Sequence, residues 1–250
     1  MSLFSLQGYI RIGTRDANGG IGKLRWVGNV PEATLQLNTT NVDKNESYSG
    51  KRLQVGRLPT GTTAALNYTM DEWSSANLAL AFNATVADIS ASSVTGETFP
   101  TGLVGEDLVR LEHPFASSLA ITDSAGTPAT VATDKYALEG HGQNIVRIID
   151  PASYTQPFKA AYSYAAAQNL VLFANLGQEV FLQFDGVNTE TDEPVVLDLW
   201  RVRHDPIQQL GLINQEYGNL PMTAAVLYDR TRAVDATLGG FGRMLTKQAA

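Results

Sequence analysis

The sequence has no cysteine, only three histidines and few charged residues, and each scarcity excludes a class of protein. Without cysteine there is no disulfide framework, iron–sulfur cluster, cysteine-bearing metal site or thiol nucleophile. Charged residues make up 17% of the 250, fewer than a helical bundle uses, whereas glycine, at 22 residues, is common. No run approaches the roughly 18 apolar residues that a membrane-spanning helix needs. The composition favours a β-rich protein, long enough to bury an ample core.

Motifs that carry enzymatic chemistry are also missing. Residues 20–23 resemble the end of a phosphate-binding loop, but leucine follows the lysine where that motif requires Ser or Thr. The chain contains no Gly-x-Ser-x-Gly elbow. The histidines, His113, His141 and His204, lie far apart without an i, i+4 partner, which disfavours a metal site. We therefore expect neither enzymatic activity nor a bound metal or cofactor.

Charge is distributed unevenly along the chain. Residues 1–57 carry a net charge of +4, residues 58–200 one of −13 and residues 201–250 one of +2. A basic end and an acidic middle can attract each other between copies of one chain, although scatter over a solvated surface gives the same totals. No Lys/Arg cluster is interleaved with aromatic residues, so a nucleic-acid-reading patch is not indicated.

A long hairpin is predicted after residue 32. Apolar residues alternate with polar ones over 33–38, which is typical of a half-buried strand. Residues 41–52 are polar without an apolar face, and extended sequence resumes at Leu53. Two strands on either side of a polar segment predict a hairpin whose tip, 41–52, protrudes. We expect this tip to be ordered only when a partner covers it.

One helix is predicted at about 71–83. Thr69 and Glu72 match a capping box, and apolar residues that include Trp73 and Leu80 follow at helical spacing. We expect Trp73 and Leu80 to pack this helix on a sheet; a buried strand at 78–82 is the alternative. Short strands separated by turn signals are predicted at 116–122, 129–138, 144–149, 157–165, 180–184, 195–203 and 222–228. The apolar face switches midway along 195–203, which suggests a β-bulge.

Many short strands with a single helix predict a mainly β fold. The expected architecture is a β-sandwich or barrel flanked by one α-helix, with the long hairpin protruding from it. We expect residues 1–250 to form a single domain. Its predicted appendages are an irregular N-terminal arm (1–20), a loop-rich insertion (84–115) and a C-terminal arm (231–250).

Several segments, in their order along the chain, resemble the major tail tube proteins of long-tailed bacteriophages. The resemblance includes the Thr/Leu-alternating strand, the Glu-Ser-Tyr-Ser-Gly tip with its basic flank, and the helix with its Asn-Leu-rich end. Later strands and the closing Ala-Ala-Val-Leu-Tyr-Asp also match. The segments are 35–40, 44–52, 71–80, 134–138, 161–164 and 224–229.

The resemblance implies a virion structural protein that forms hexameric rings stacking head-to-tail into the tube of a non-contractile, siphophage-type tail. Its implied partners are further copies of itself, a tape-measure protein, the tail terminator and baseplate or distal tail proteins. Genomic DNA would pass through the lumen without specific binding, and no membrane is involved. The implied location is the virion tail, assembled in the host cytoplasm. Alternatives are the inner tube of a contractile tail, a secretion-system tube and a carbohydrate-binding β-sandwich.

The resemblance also implies residue roles. The polar tip would form the inter-ring loop, made of Asp43, Lys44, Asn45, Glu46, Ser47, Tyr48, Ser49, Gly50, Lys51 and Arg52. The polar sides of two alternating strands, without an aromatic residue among them, would face the lumen. These lumen-facing residues are Thr34, Gln36, Asn38, Glu179, Gln183 and Asp185.

Overall fold

The computed structural model describes residues 3–232 and 235–247, and this part of the chain is mainly β, as predicted. It has sixteen strands, one α-helix and a 3₁₀ helix at Thr133–Lys135. The helix is α1 (Ser75–Ala81). The strands are β1 (Leu6–Arg15), β2 (Ile21–Trp26), β3 (Ala33–Asn45), β4 (Gln54–Met70), β5 (Thr85–Ile89), β6 (Ser92–Thr98), β7 (Leu108–Arg110), β8 (Ala116–Thr122), β9 (Tyr136–Glu139), β10 (Ile145–Ile148), β11 (Lys159–Tyr164), β12 (Ala167–Val171), β13 (Glu179–Asn188), β14 (Glu193–His204), β15 (Leu220–Val226) and β16 (Gly242–Thr246).

The chain divides into two compact units, where the sequence predicted one domain. The first unit combines residues 1–86 with 170–250, and the second comprises residues 87–169. The predicted loop-rich insertion at 84–115 is wrong, because β5, β6 and β7 all lie within it. These strands are short and expose most of their side chains, so they leave almost no hydrophobic alternation to detect.

An antiparallel sheet of eight strands dominates the first unit. Seven strands follow the order β2-β1-β13-β14-β15-β4-β3, and β16 pairs with β14 beside β15. The predicted irregular N-terminal arm is therefore wrong, since β1 pairs with β13 from Leu6 to Thr14. The C-terminal arm likewise contributes a strand, β16, whose backbone bonds extend the sheet. Two of its pairings, β1 with β13 and β15 with β4, join strands more than a hundred residues apart, and local composition does not reveal them.

One face of the eight-stranded sheet buries the core of this unit. Apolar side chains from β1, β4, β13, β14 and β15 pack there with α1. Among them Leu80 is 8% exposed, so its predicted packing is confirmed. The alternation of Val180, Leu182 and Phe184 toward one face is confirmed as well.

The predicted start of the helix is wrong. Thr69 lies in β4, where its N–H donates to the Glu32 carbonyl (3.0 Å), so it is held in the sheet and caps nothing. Ser74 is the N-cap instead, and its hydroxyl accepts the N–H of Asn77 (3.2 Å). Trp73 precedes the helix and is 69% exposed, so its predicted packing role is also wrong.

The second unit is a small β-sandwich. Two three-stranded antiparallel sheets, β7-β10-β9 and β6-β11-β8, contribute to one apolar core. Phe158, Leu111 and Ile121 are among its most buried side chains. Strands β5 and β12 pair with each other in a two-stranded sheet. The predicted strand at 116–122 coincides with β8.

Candidate assembly surface

The outer half of the β3–β4 hairpin, residues 36–63, forms an arm that consists of two strands alone. Strand β15 pairs with β4 only from Ala64 to Met70, and β3 ends the sheet order. All residues of the arm except Glu46 are exposed. An isolated two-stranded hairpin is at best marginally stable in water. The arm is therefore the candidate assembly surface of this chain.

The arm exposes apolar as well as polar side chains. Tyr48 at the tip is 86% exposed. The other large apolar side chains that the arm exposes are Leu37, Val42, Leu53, Val55 and Leu58. Two-stranded structure cannot bury these groups on both faces, and contiguous exposed apolar surface commonly marks a protein–protein contact. The polar tip was predictable from the sequence, but these exposed apolar side chains were not.

The tip is ordered internally, contrary to the prediction that only a partner orders it. The Glu46 carboxylate accepts hydrogen bonds from the backbone N–H groups of Tyr48, Ser49 and Leu53 and from the Ser49 hydroxyl. These bonds, with that of the Ser49 hydroxyl foremost, lower the pKa of Glu46 to about 2. Gly50, at φ 77°, makes the left-handed turn that glycine tolerates best.

The loop is shorter than the predicted 41–52. Asp43, Lys44 and Asn45 belong to β3, and Glu46 to Leu53 make the turn. Asp43 pairs with Arg57 on β4 (2.7 Å), and the hydrogen bond from Arg57 lowers the pKa of Asp43. Polar strand residues resemble loop in composition because both sides of this arm face outward, so the usual apolar alternation is missing.

The tip presents positive charge. Its two carboxylates are engaged within the arm, by Arg57 and by the tip backbone. Lys44, Lys51 and Arg52 are exposed and have no ion-pair partner among the described residues. The arm therefore offers basic and aromatic groups together.

The two predicted lumen-facing sets lie on one face of the sheet. Pairing runs in one row from Gln36 through Ala65, Ala225 and Arg203 to Glu179. Directly paired residues place their side chains on the same side of a sheet. Because β-strand side chains alternate, Thr34 and Asn38 share the side of Gln36, and Gln183 and Asp185 share that of Glu179. This polar face is opposite the apolar core.

Ion pairs brace the polar face. Arg11 pairs with Asp185, and Arg201 donates two hydrogen bonds to Glu179 (both 2.6 Å). Arg15 also pairs with Glu179 (3.6 Å) and with Asp229 (2.8 Å). Asp198 pairs with Arg243 (3.0 Å) and accepts a hydrogen bond from Gln183 (3.0 Å). Hydrogen bonds from Arg201 lower the pKa of Glu179, and Glu179 in turn raises that of Arg201. The charges are thus largely neutralised in place.

A β-bulge makes part of this bracing possible. Val180 pairs with Val202 but Leu182 pairs with Leu199, so Trp200 and Arg201 both lie opposite Phe181. The predicted bulge is confirmed. It lets Arg201 reach Glu179 while Trp200 stacks on Phe181 with ring centroids 5.8 Å apart. The prediction that this side carries no aromatic residue is wrong. Phe181 lies there beneath the Trp200 ring, and Tyr9, which pairs with Asp185, is half-exposed on the same side.

Within residues 3–232 and 235–247, no three His, Asp or Glu side chains come together in a group that could hold a metal ion. In the same residues no helix has the length and apolar character needed to cross a membrane.

No curated protein matches the sequence. A family model described as "Protein of unknown function UCP028589" matches residues 3–245, which include both compact units and the arm. The chain therefore belongs to the UCP028589 family.

Proposed function

We propose that this protein is the tail tube subunit of a long-tailed bacteriophage, which assembles into hexameric rings that stack head-to-tail. It performs no catalysis; its function is to build the conduit through which DNA leaves the virion around a tape-measure protein. The proposal rests on the sequence resemblance and on one structural observation, the exposed arm.

The arm carries the proposal because contact with another copy would cover the side chains that it exposes. It extends two strands beyond the core and exposes Leu37, Val55 and Leu58 to water. An arm on one surface that binds a different surface of the next copy makes a heterologous contact. Such contacts form rings when the rotation closes and filaments when it does not. A stack of rings needs closing contacts within each ring and non-closing contacts between successive rings.

The polar face suits the wall of a conduit. Antiparallel sheets tolerate water on one side, and here that side carries two partly exposed ion pairs, Arg11–Asp185 and Arg201–Glu179, opposite the core. The chain has a net charge of −7. Tight DNA binding requires unpaired basic groups on phosphates, so a wall of neutralised ion pairs lets DNA pass without adhering.

Sedimentation velocity over a range of protein concentrations tests the proposal. The informative variant replaces residues 40–61 with Asn-Gly, which joins Thr39 to its pairing partner Thr62 by a two-residue turn. The native protein is expected to form large particles of uniform ring mass or multiples of it. The shortened variant should remain small and folded. A native protein that stays monomeric, together with tail-incorporation failure on addition of an isolated phage tail-tip complex, would contradict the proposal.

A second function is favoured by one specific observation. Tyr9 and Trp26 form an edge-to-face pair with ring centroids 5.7 Å apart, and both are more than half exposed. Exposed aromatic rings can stack on sugars, so the carbohydrate-binding alternative has a candidate platform here. Glycan-array binding that is lost on Trp26→Ala would favour it over the tube.

A further inference from the structure

A cavity lies at the end of β4 away from the arm. It has a volume of about 370 Å³ and begins where Asp71, Glu72 and Trp73 follow the strand. The opposite wall comes from the loop between β14 and β15, with Leu210 and Leu212. All of these residues belong to the first compact unit.

The loop beside this cavity exposes apolar side chains. Ile213 is 98% exposed, and Leu212 and Tyr217 are also almost fully open to water. Trp73, on the other side of the cavity, is exposed too. Scattered apolar residues are normal on a surface, but Trp73 and Leu212 both line this cavity and Ile213 follows Leu212 in the loop. Exposed apolar groups are thus concentrated here, as they are at protein–protein contacts.

The cavity is acidic where the arm tip is basic. Asp71 accepts a hydrogen bond from the neutral Asn29 amide (2.6 Å), and neither Asp71 nor Glu72 forms an ion pair within the described part of the chain. The tip contributes Lys51 and Arg52 around the exposed Tyr48. Opposite charges around apolar centres are the pattern that sets register between partners.

The size of the cavity and its distance from the tip also fit a contact between the tip of one copy and the cavity of another. A cavity of about 150 Å³ already holds benzene, so this one accommodates a tyrosine ring. The tip precedes Gln54 and the cavity follows Met70, so they lie at opposite ends of β4. At about 3.3 Å per residue, the strand separates them by roughly 50 Å, which prevents a tip from entering its own cavity. A donor at one end and an acceptor at the other are what a head-to-tail stack requires.

We propose that the arm tip of one copy docks in the Asp71–Trp73 cavity of a second copy of this chain. Tyr48 enters between Trp73 and Leu212, while Lys51 and Arg52 face Asp71 and Glu72. This inference rests on the proposed function and names the acceptor for the arm.

Cysteine cross-linking tests the contact directly, because the chain has no native cysteine. A Tyr48→Cys protein is mixed with a size-tagged Leu212→Cys protein and oxidised. The matched control replaces Leu212→Cys with Leu108→Cys, at an exposed leucine of the second unit. Docking predicts a several-fold excess of the Tyr48→Cys to Leu212→Cys product over the control. Equal yields would overturn it.

Reversing the charges of the tip and of the cavity tests whether they recognise each other electrostatically. Lys51→Glu with Arg52→Glu gives an acidic arm, and Asp71→Lys with Glu72→Lys gives a basic cavity. Each double variant alone sets like charges together and should associate about tenfold more weakly. An equimolar mixture matches every arm to a cavity of opposite charge, so association should return. Weakened variants that stay weak when mixed, with melting temperatures unchanged, would contradict the docking.

Electron microscopy of the same samples keeps the two proposals separate. Rings or tubes without excess cross-linking overturn the docking site and leave the tube in place. Excess cross-linking in particles that never form rings supports the docking site and counts against the tube.

Discussion

The carboxylate of Glu46 accepts the backbone N–H of Leu53 seven residues later (3.2 Å), and the Leu53 carbonyl accepts the N–H of Glu46 (2.8 Å). One acidic side chain thereby closes the arm tip. This closure orders the tip without any contact to the core and holds Tyr48 outward. The arm is thus presented in a defined shape before a partner is met, which lowers the entropy cost of binding.

Removal of this carboxylate should loosen the tip alone. Glu46→Ala is expected to accelerate amide hydrogen exchange at Tyr48, Ser49 and Leu53, because their acceptor is lost. The melting temperature should not change, since the arm lies outside the core. Glu32→Ala, at an exposed acidic residue before β3, is the matched control. Exchange rates equal to those of the control would show that Glu46 does not organise the tip.

The same group gives the tip a pH dependence. The pKa of Glu46 falls from an ordinary 4.5 to about 2 in the folded tip. A depressed carboxyl pKa contributes order that is fully present above about pH 4.5 and is lost as the pH falls through 2. Protection of the Ser49 amide should therefore persist at pH 5 and decline toward pH 2. Protection that is already lost at pH 4 would contradict this.

A buried histidine should make the core sensitive to mild acid. His204 is the buried last residue of β14, and its Nε2 lies 2.7 Å from the Tyr68 hydroxyl. Burial first, then the charge of Arg25, lowers its pKa from 6.5 to about 4. Between those values the unfolded chain binds a proton that the folded chain does not. Stability should thus be complete above pH 6.5 and fall by up to about 3 kcal/mol as the pH drops to 4.

Urea unfolding at pH 7 and pH 4.5 measures that contribution. His204→Gln removes the titrating group while keeping a hydrogen-bonding partner for the Tyr68 hydroxyl, so the stability of this variant should depend less on pH than that of the native protein. His141→Gln, at an exposed histidine, is the control and should behave like the native protein. The same pH dependence in all three proteins would refute this role of His204.

Trp73 and Leu80 should differ sharply in their effect on stability. Leu80→Ala leaves a cavity in the main core and is expected to cost about 2–5 kcal/mol. Trp73→Ala removes an exposed ring and should change the free energy of unfolding by no more than about 0.5 kcal/mol. Chemical denaturation of the two variants measures both values. A Trp73→Ala cost close to that of Leu80→Ala would show that this tryptophan is packed in solution.

Single cysteines should locate the polar face in an assembly. Gln36→Cys and Asp185→Cys each introduce the sole thiol of the chain. If the polar face lines a lumen, a polymer-conjugated maleimide should react much more slowly with tubes than with monomers, whereas a small maleimide should react at similar rates with both. Equal rates for the bulky reagent in tubes and monomers would place this face on the outside.

The sequence revealed local periodicity well and distant pairing poorly. Strand β8 and the bulge of β14 were predictable because hydrophobic alternation, or its interruption, is visible within a few residues. Strand β1 was missed because its place is set by β13, far along the chain. The helix start was misplaced because Thr69 satisfies a capping pattern locally while its backbone N–H is already bonded to Glu32 in the sheet.

The candidate site was predictable only in outline. Polar composition located the arm tip, and alternation placed Gln36 and Glu179 on polar sides of their strands. That these two strands belong to one sheet, with both polar sides facing the same way, depends on the intervening strands β4, β15 and β14. Exposure of Trp73 and Ile213 was not predictable, because apolar residues near a helix or in a loop are as often buried.

Negative-stain electron microscopy of the native protein beside the variant shortened at residues 40–61 tests the central claim most directly. The account predicts rings with a central channel, and stacks of them at high concentration, for the native protein. It predicts folded particles that do not stack for the shortened variant. Stacks of equal length from both proteins would contradict the account, because the arm would then have no part in assembly.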